Sequence, residues 1–154
     1  MSNRRNSIQM NTEEMWHFIT SQKSMHVCNL NNDGTPHLVT MWFTIDDGNI
    51  ILVSYSKSQK ILNLKRNPSI ALLCEDGQDY KELRGASINS DAELVNDPDK
   101  VKRYETALIL RNQKELTDTQ AEELAARMCS KKTVIVVRPV ETKTWDHSKL
   151  DVEY

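Results

Sequence analysis

One stretch limits what this chain can fold into more than any other: Thr40 to Pro68, TMWFTIDDGNIILVSYSKSQKILNLKRNP. Two apolar, β-rich runs flank Asp46-Asp47-Gly48-Asn49, residue types that close a tight turn between antiparallel strands. The second run passes into Ser54, Ser56 and Ser58, with Lys57 and Lys60 among them. From there the spacing predicts a short helix that Ser58 can cap and that carries Ile61, Leu62 and Leu64. It ends at about Arg66, because the residue before Pro68 is pushed out of the α region. A helix start exposes unpaired amides, and its dipole favours negative charge. Ser54 and Lys60 are therefore candidate donors to a phosphate, with Ser56, Lys57 and Ser58 as secondary ones. The plain alternative stays open on these residues alone: Ser58 as a cap only, and the lysines as solvated surface charges.

The rest of the chain builds around that unit. Asn11 and Glu14 form a reciprocal capping pair ahead of Met15, Phe18 and Ile19. Met25 to Leu30 and Pro36 to Ile45 read as a hairpin about Asn31-Asn32-Asp33-Gly34. Ile50 to Tyr55 is the next strand and Ile70 to Cys74 a buried one. Tyr80 to Leu94 reads as a long strand that bends near Gly85 or Asn89-Ser90. Asp97-Pro98 starts a helix striped by Val101, Tyr104 and Leu108. Thr117 with Gln120 starts another, striped by Ala121, Leu124, Ala125 and Met128. Thr133 to Val137 is a β-branched strand, and a tail with Trp145-Asp146-His147 follows. Strands outnumber helices without β-α-β alternation, so the expected class is mainly β (α+β), an antiparallel barrel of about six strands with helices outside. Residues 1–10 read as a flexible polar tail and 11–154 as one domain.

Several functions are disfavoured by composition. The net charge of −2 and pI of about 6.1 give no basic field for nucleic acid. No apolar run approaches the roughly 20 residues of a membrane span, and the polar start lacks a signal peptide's apolar stretch, so a cytoplasmic address is expected. Cys28, Cys74 and Cys129 form no disulfide framework, and His17, His26, His37 and His147 have no ligand spacing, so a metal site is not expected. Four glycines preclude a glycine-rich dinucleotide loop, and no G-x-S-x-G elbow occurs. Redox chemistry would have to come from a bound ring that the protein only holds and orients.

The order of motifs carries a resemblance. Lys60, Asn63, Leu64 and Pro68 stand in a K-x-x-N-L-x-x-x-P pattern after the strand pair. LRGASINSDAELVNDP follows, with Arg84-Gly85-Ala86 and a D-P helix opening, and VIVVRPVETKTWDHSKL comes last. Over about residues 13 to 150 the chain resembles the pyridoxamine 5'-phosphate oxidase-like, FMN-binding split-barrel superfamily. Its ending resembles the branch that uses the deazaflavin coenzyme F420. The resemblance implies a six-stranded split barrel, a homodimer with the site between subunits, and hydride transfer between the cofactor and a small organic substrate. It also implies a ring lying along Val39, Thr40, Met41 and Trp42, contacted mostly by backbone, and a phosphate held by Ser54 and Lys60. Lys57, Lys65 and Arg66 offer the wider basic mouth of the deazaflavin, so coenzyme F420 is favoured over FMN. Pyridoxamine phosphate oxidase itself is disfavoured, because its basic C-terminal substrate segment has no counterpart. Trp145 is expected at the pocket or the dimer seam, or equally as a pin holding the tail to the barrel. A non-catalytic flavin- or haem-binding barrel, with His37 or His147 as axial ligand, is the alternative.

Overall fold

The turn at the centre of the constraining stretch forms with Asp47 and Gly48 both in the left-handed region, at φ 48° and 71°. That pair of conformations matches the right-handed twist of the flanking strands. Residues 4–150 are described by the computed structural model. Their helices are α1 (Arg4–Ser7), α2 (Thr12–Ser21), α3 (Gln59–Arg66), α4 (Pro98–Asn112) and α5 (Asp118–Met128). Their strands are β1 (Ser24–Leu30), β2 (Pro36–Trp42), β3 (Thr44–Asp46), β4 (Asn49–Tyr55), β5 (Ser69–Asp76), β6 (Arg84–Val95), β7 (Lys132–Val137) and β8 (Glu141–Asp146). Three short 3-10 turns complete the set.

All strand pairings are antiparallel, in the order β2-β1-β5-β6-β7-β4-β3, with β8 added to β6. The fold is thus an α+β curled antiparallel sheet, the half-barrel class anticipated. β6 joins its two halves: residues 84–91 pair with β5, and the opposite edge meets β8 over 84–89 and then β7 over 92–95. Inward residues of five strands, including Val27, Leu52, Leu72, Ile88 and Ile135, form one core with Met15, Phe18 and Ile19 of α2 and with Ile61 and Leu64 of α3. Burying each of these side chains contributes about 1.5–3 kcal/mol, which fixes α3 to the barrel. No helix among the described residues is long and apolar enough to cross a membrane.

Among the described residues the strands number eight where six were expected, for two reasons. The run from Pro36 to Ile45 breaks at Phe43, whose fully buried side chain turns into the core. Glu141–Asp146, read as a tail, is β8, with Trp145 opposite Gly85. The long strand also starts later than expected, since Tyr80–Glu82 is a 3-10 turn. Of the expected tail over 1–10, residues 1–3 lie outside the described residues. Further along, the Ile8 carbonyl accepts from Asp146 N at 2.7 Å and Met10 N donates to Thr144 Oγ1 at 3.0 Å. Residues 151–154 of the expected domain are likewise outside the described range.

The capping signals ahead of α2, α4 and α5 appear as read. Asn11 and Glu14 exchange side-chain bonds with each other's backbone N–H at 2.9 and 2.8 Å. Asp97 accepts from Lys100 N at 2.9 Å, and Thr117 with Gln120 completes a second capping box.

Candidate functional site

Where β4 ends and α3 begins, Ser54 is buried with its Oγ 3.1 Å from Ser58 Oγ, and Lys60 Nζ donates to Ser54 Oγ at 3.2 Å. Three of the expected donors therefore meet at one point. Ser58 holds the N-cap position by backbone but does not cap: its hydroxyl is drawn to Ser54, and among the described residues no side chain satisfies the first-turn amides of α3. Those amides, with two hydroxyls and an ammonium, form a donor set of the chemistry a phosphate requires. Burial pushes the pKa of Lys60 down, and among the described residues no carboxylate lies within ion-pair distance of it. A partly desolvated cation without a counter-ion is a standing demand for an anion.

The pose of Lys60 is set one turn further on. Asn63 is fully buried, and its Nδ2 donates to Asn29 Oδ1 at 2.7 Å and to Asn31 Oδ1 at 3.0 Å, while Gln59 Nε2 donates to Asn63 Oδ1 at 2.9 Å. This network anchors α3 to β1. The motif position was visible in the sequence, but its positioning role was not.

The remaining expected residues are placed apart from that cluster. Ser56 Oγ pairs with Thr133 Oγ1 at 2.8 Å, and Thr133 donates on to Asn96 Oδ1 at 2.6 Å, so this hydroxyl is engaged in holding its loop. Lys57 is exposed. Val39 and Met41 are half-buried on β2, with Thr40 and Trp42 exposed between and beyond them. Trp145 lies over Gly85, ten residues along β6 from Val95, whose partner Val134 adjoins Thr133 opposite Ser54. That is roughly 30 Å along the strand. Within one chain Trp145 pins β8 to β6.

Among the described residues β2 has a strand partner on one edge only, and residues 52–55 of β4 pair only with β7. The two strands separate past Phe43. Arg111 of α4 holds that parting in place: its guanidinium donates to the carbonyls of Phe43, Thr20 and Gln22 and stacks 4.2 Å from the Phe43 ring. Burial lowers its pKa. A cleft of about 250 Å³ opens there, lined by Met41, Trp42 and Val53 of the sheet and by Leu108, Ile109 and Leu124 of the helices. Glu105 and Lys132 also line it, and they form an ion pair. Neither was singled out from the sequence. The available signal was a carboxylate interrupting the stripe of Val101 and Leu108, four residues after Val101.

Comparison with known proteins agrees with this geometry. The family model described as pyridoxamine 5'-phosphate oxidase matches residues 11–146. An F420H(2)-dependent biliverdin reductase of Mycobacterium tuberculosis (strain CDC 1551 / Oshkosh) is 31% identical over 94 residues, 58% of this chain and 69% of that protein. Among solved structures, a conserved hypothetical protein from Mycobacterium tuberculosis matches with a TM-score of 0.91 at 33% identity, over 99% of this chain and 95% of that one. A structure described as an F420 reductase matches with a TM-score of 0.65 at 26% identity, over 82% of this chain and 93% of that one.

Proposed function

This chain belongs to the pyridoxamine 5'-phosphate oxidase family, and we propose that it is a flavin- or deazaflavin-dependent oxidoreductase, with coenzyme F420 favoured over FMN and a small organic molecule as substrate. The observation that carries the reading is the convergence of Lys60, Ser54 and Ser58 on the uncapped start of α3. That donor set suits the cofactor phosphate. The exposed Lys57 next to it, with the exposed Lys65 in the last turn of α3, suits the longer, more anionic tail of the deazaflavin. Kinship with an F420H(2)-dependent reductase and with an F420 reductase structure supports the same choice.

The unpaired edge of β2, from Val39 to Trp42, offers backbone donors and acceptors for the ring. When bound, the cofactor supplies hydride chemistry, which no side chain of this protein can. The protein binds the phosphate at Lys60, orients the ring along β2 and uses the apolar cleft to limit water. A homodimer with the site at its seam is part of the proposal. Leu38 and Trp42 on edge strand β2 are 66% and 43% exposed. Leu38, Cys28, Ala71 and Leu73 share an uncovered outer groove of about 390 Å³, and such a sheet face and edge call for cover.

Titration of the purified protein with coenzyme F420 and with FMN, followed by fluorescence, tests the function. Tighter binding of the deazaflavin is expected, and binding of neither would refute the reading. Light scattering is expected to show a dimer, and a monomer that still binds cofactor would remove the seam.

A further inference from the structure

The cleft between β2 and β4 on one side and α4 and α5 on the other is mainly apolar and carries, besides the neutral amide of Gln113, one charged spot. Lys132 and Glu105 face each other there, with side chains only 12% and 8% exposed. Removing both charges from water costs free energy that apolar residues of similar volume would not incur. Attachment of α4 does not require the pair. Val101 is fully buried against Ile51 and Val134, and Arg103 and Tyr104 both bond Asp46, at 2.8 and 2.7 Å. Nor is the pair used up internally: Lys132 Nζ donates to Glu105 Oε1 and lies 5.1 Å from the Tyr55 ring, while an ammonium has three hydrogens to give.

We propose that this cleft is the substrate pocket of the oxidoreductase and that Lys132 is its specificity residue, selecting a small, uncharged, largely apolar molecule that bears a carbonyl acceptor. The inference rests on the placement of the cofactor along β2 and at Lys60 given above. Charge complementarity identifies the ligand class. A carboxylate drawn to Lys132 also meets the repulsion of Glu105 across the shared ammonium, which offsets much of its gain, and it loses its own hydration on entering the cleft. A neutral carbonyl needs only a hydrogen bond and keeps the pair intact, and its rings replace water against Met41, Val53, Leu108 and Ile109. The volume of about 250 Å³ falls below the roughly 300–1,000 Å³ of larger ligand sites, which limits the occupant to one or two rings. Trp42 and Met41 form part of both the cleft wall and the proposed ring strand, so a bound molecule lies beside the cofactor.

Calorimetric titration with 2-acetylnaphthalene and with 2-naphthoate compares a neutral carbonyl with a carboxylate on one ring system. The wild type is expected to bind the ketone at least about tenfold more tightly than the carboxylate. The paired variant Lys132→Met with Glu105→Gln leaves no lone buried charge and should lose about tenfold in ketone affinity. Leu108→Trp, which fills the cleft, should abolish ketone binding and leave the deazaflavin affinity unchanged. Absence of ketone binding, equal or tighter binding of the carboxylate, no effect of the paired variant, or displacement of the ketone by deazaflavin would each overturn the assignment. Deazaflavin titrations on the same samples separate the two readings. No deazaflavin binding overturns the proposed function, whereas an unselective cleft beside an intact deazaflavin site overturns this inference alone.

Discussion

Replacing Lys60 by alanine separates a phosphate ligand from a surface charge, because the two predict opposite pairs of results. Among the described residues Lys60 Nζ reaches only the Ser54 hydroxyl, at 3.2 Å, and burial lowers its pKa from 10.5. A charge-assisted bond to phosphate contributes about 1.5–3 kcal/mol, so Lys60→Ala is expected to weaken deazaflavin binding about ten- to a hundredfold. Stability should move the other way or not at all. The unfolded chain holds this proton more tightly than the folded one, so the contribution of Lys60 to stability rises with pH between its lowered folded value and 10.5. At neutral pH the folded state carries the cost of burying the cation, and alanine removes it. The melting temperature is therefore expected to hold or rise slightly. Phosphate raises the pKa of Lys60 again, so binding takes up a proton on the alkaline side. Wild-type affinity should fall as pH climbs through the lowered value, and the variant should lack this dependence. Fluorescence titration at neutral and alkaline pH, with thermal unfolding and the exposed Lys81→Ala as control, reads all three effects. Equal and small affinity losses at both lysines, or a large drop in melting temperature at unchanged affinity, would refute the reasoning.

Three further outcomes follow from packing. Gly85→Ala puts a Cβ 2.0 Å from Trp145 Cζ2 and should cost about 1–3 kcal/mol, read from the denaturant midpoint and partly recovered in a Trp145→Ala background. Asn63→Leu strips Asn29 and Asn31 of their donor. It should cost about 2 kcal/mol in denaturant unfolding and also weaken deazaflavin binding, since α3 carries Lys60. Burial pushes the Cys74 thiol up from 9.0 to about 12, so the unfolded thiol ionises first and stability falls as pH rises across that interval. Cys74→Ala should remove this part of the alkaline slope in pH-dependent unfolding.

The parts of the fold legible in the sequence are those decided by residues a few positions apart. Asn11 with Glu14, Asp97 with Pro98, and Thr117 with Gln120 each fix a helix start through bonds spanning three residues, so their spacing alone suffices. Ser58 shows the limit of that logic. Its backbone is the predicted cap, yet a hydroxyl from the preceding strand competes for its side chain and leaves the helix amides open. The break at Phe43 was hidden because an apolar run looks the same whether it is straight or turned. The guanidinium that holds it in place, Arg111, lies 68 residues away. β8 was missed because its alternation is nearly all polar, with Trp145 as its main apolar contact. Glu105 and Lys132, 27 residues apart, could be paired only by the sheet that brings β7 beneath α4.

The two neighbours that share one edge of β6 set an order on how the chain can assemble as it is synthesised. Against β5 and then β7 the strand finds partners as the polypeptide lengthens, but residues 84–89 must wait for 141–146. At about 5–20 residues per second, more than fifty residues of further synthesis leave that edge bare for roughly 3 to 10 seconds. Closing so long a loop costs little extra free energy, since the penalty grows only with the logarithm of length. The exposure is therefore kinetic: through that interval the bare edge can pair with another nascent copy on the same message. The nearly all-polar composition of β8 keeps the last partner of β6 soluble until it docks, and a premature stop before residue 141 would make the interval permanent.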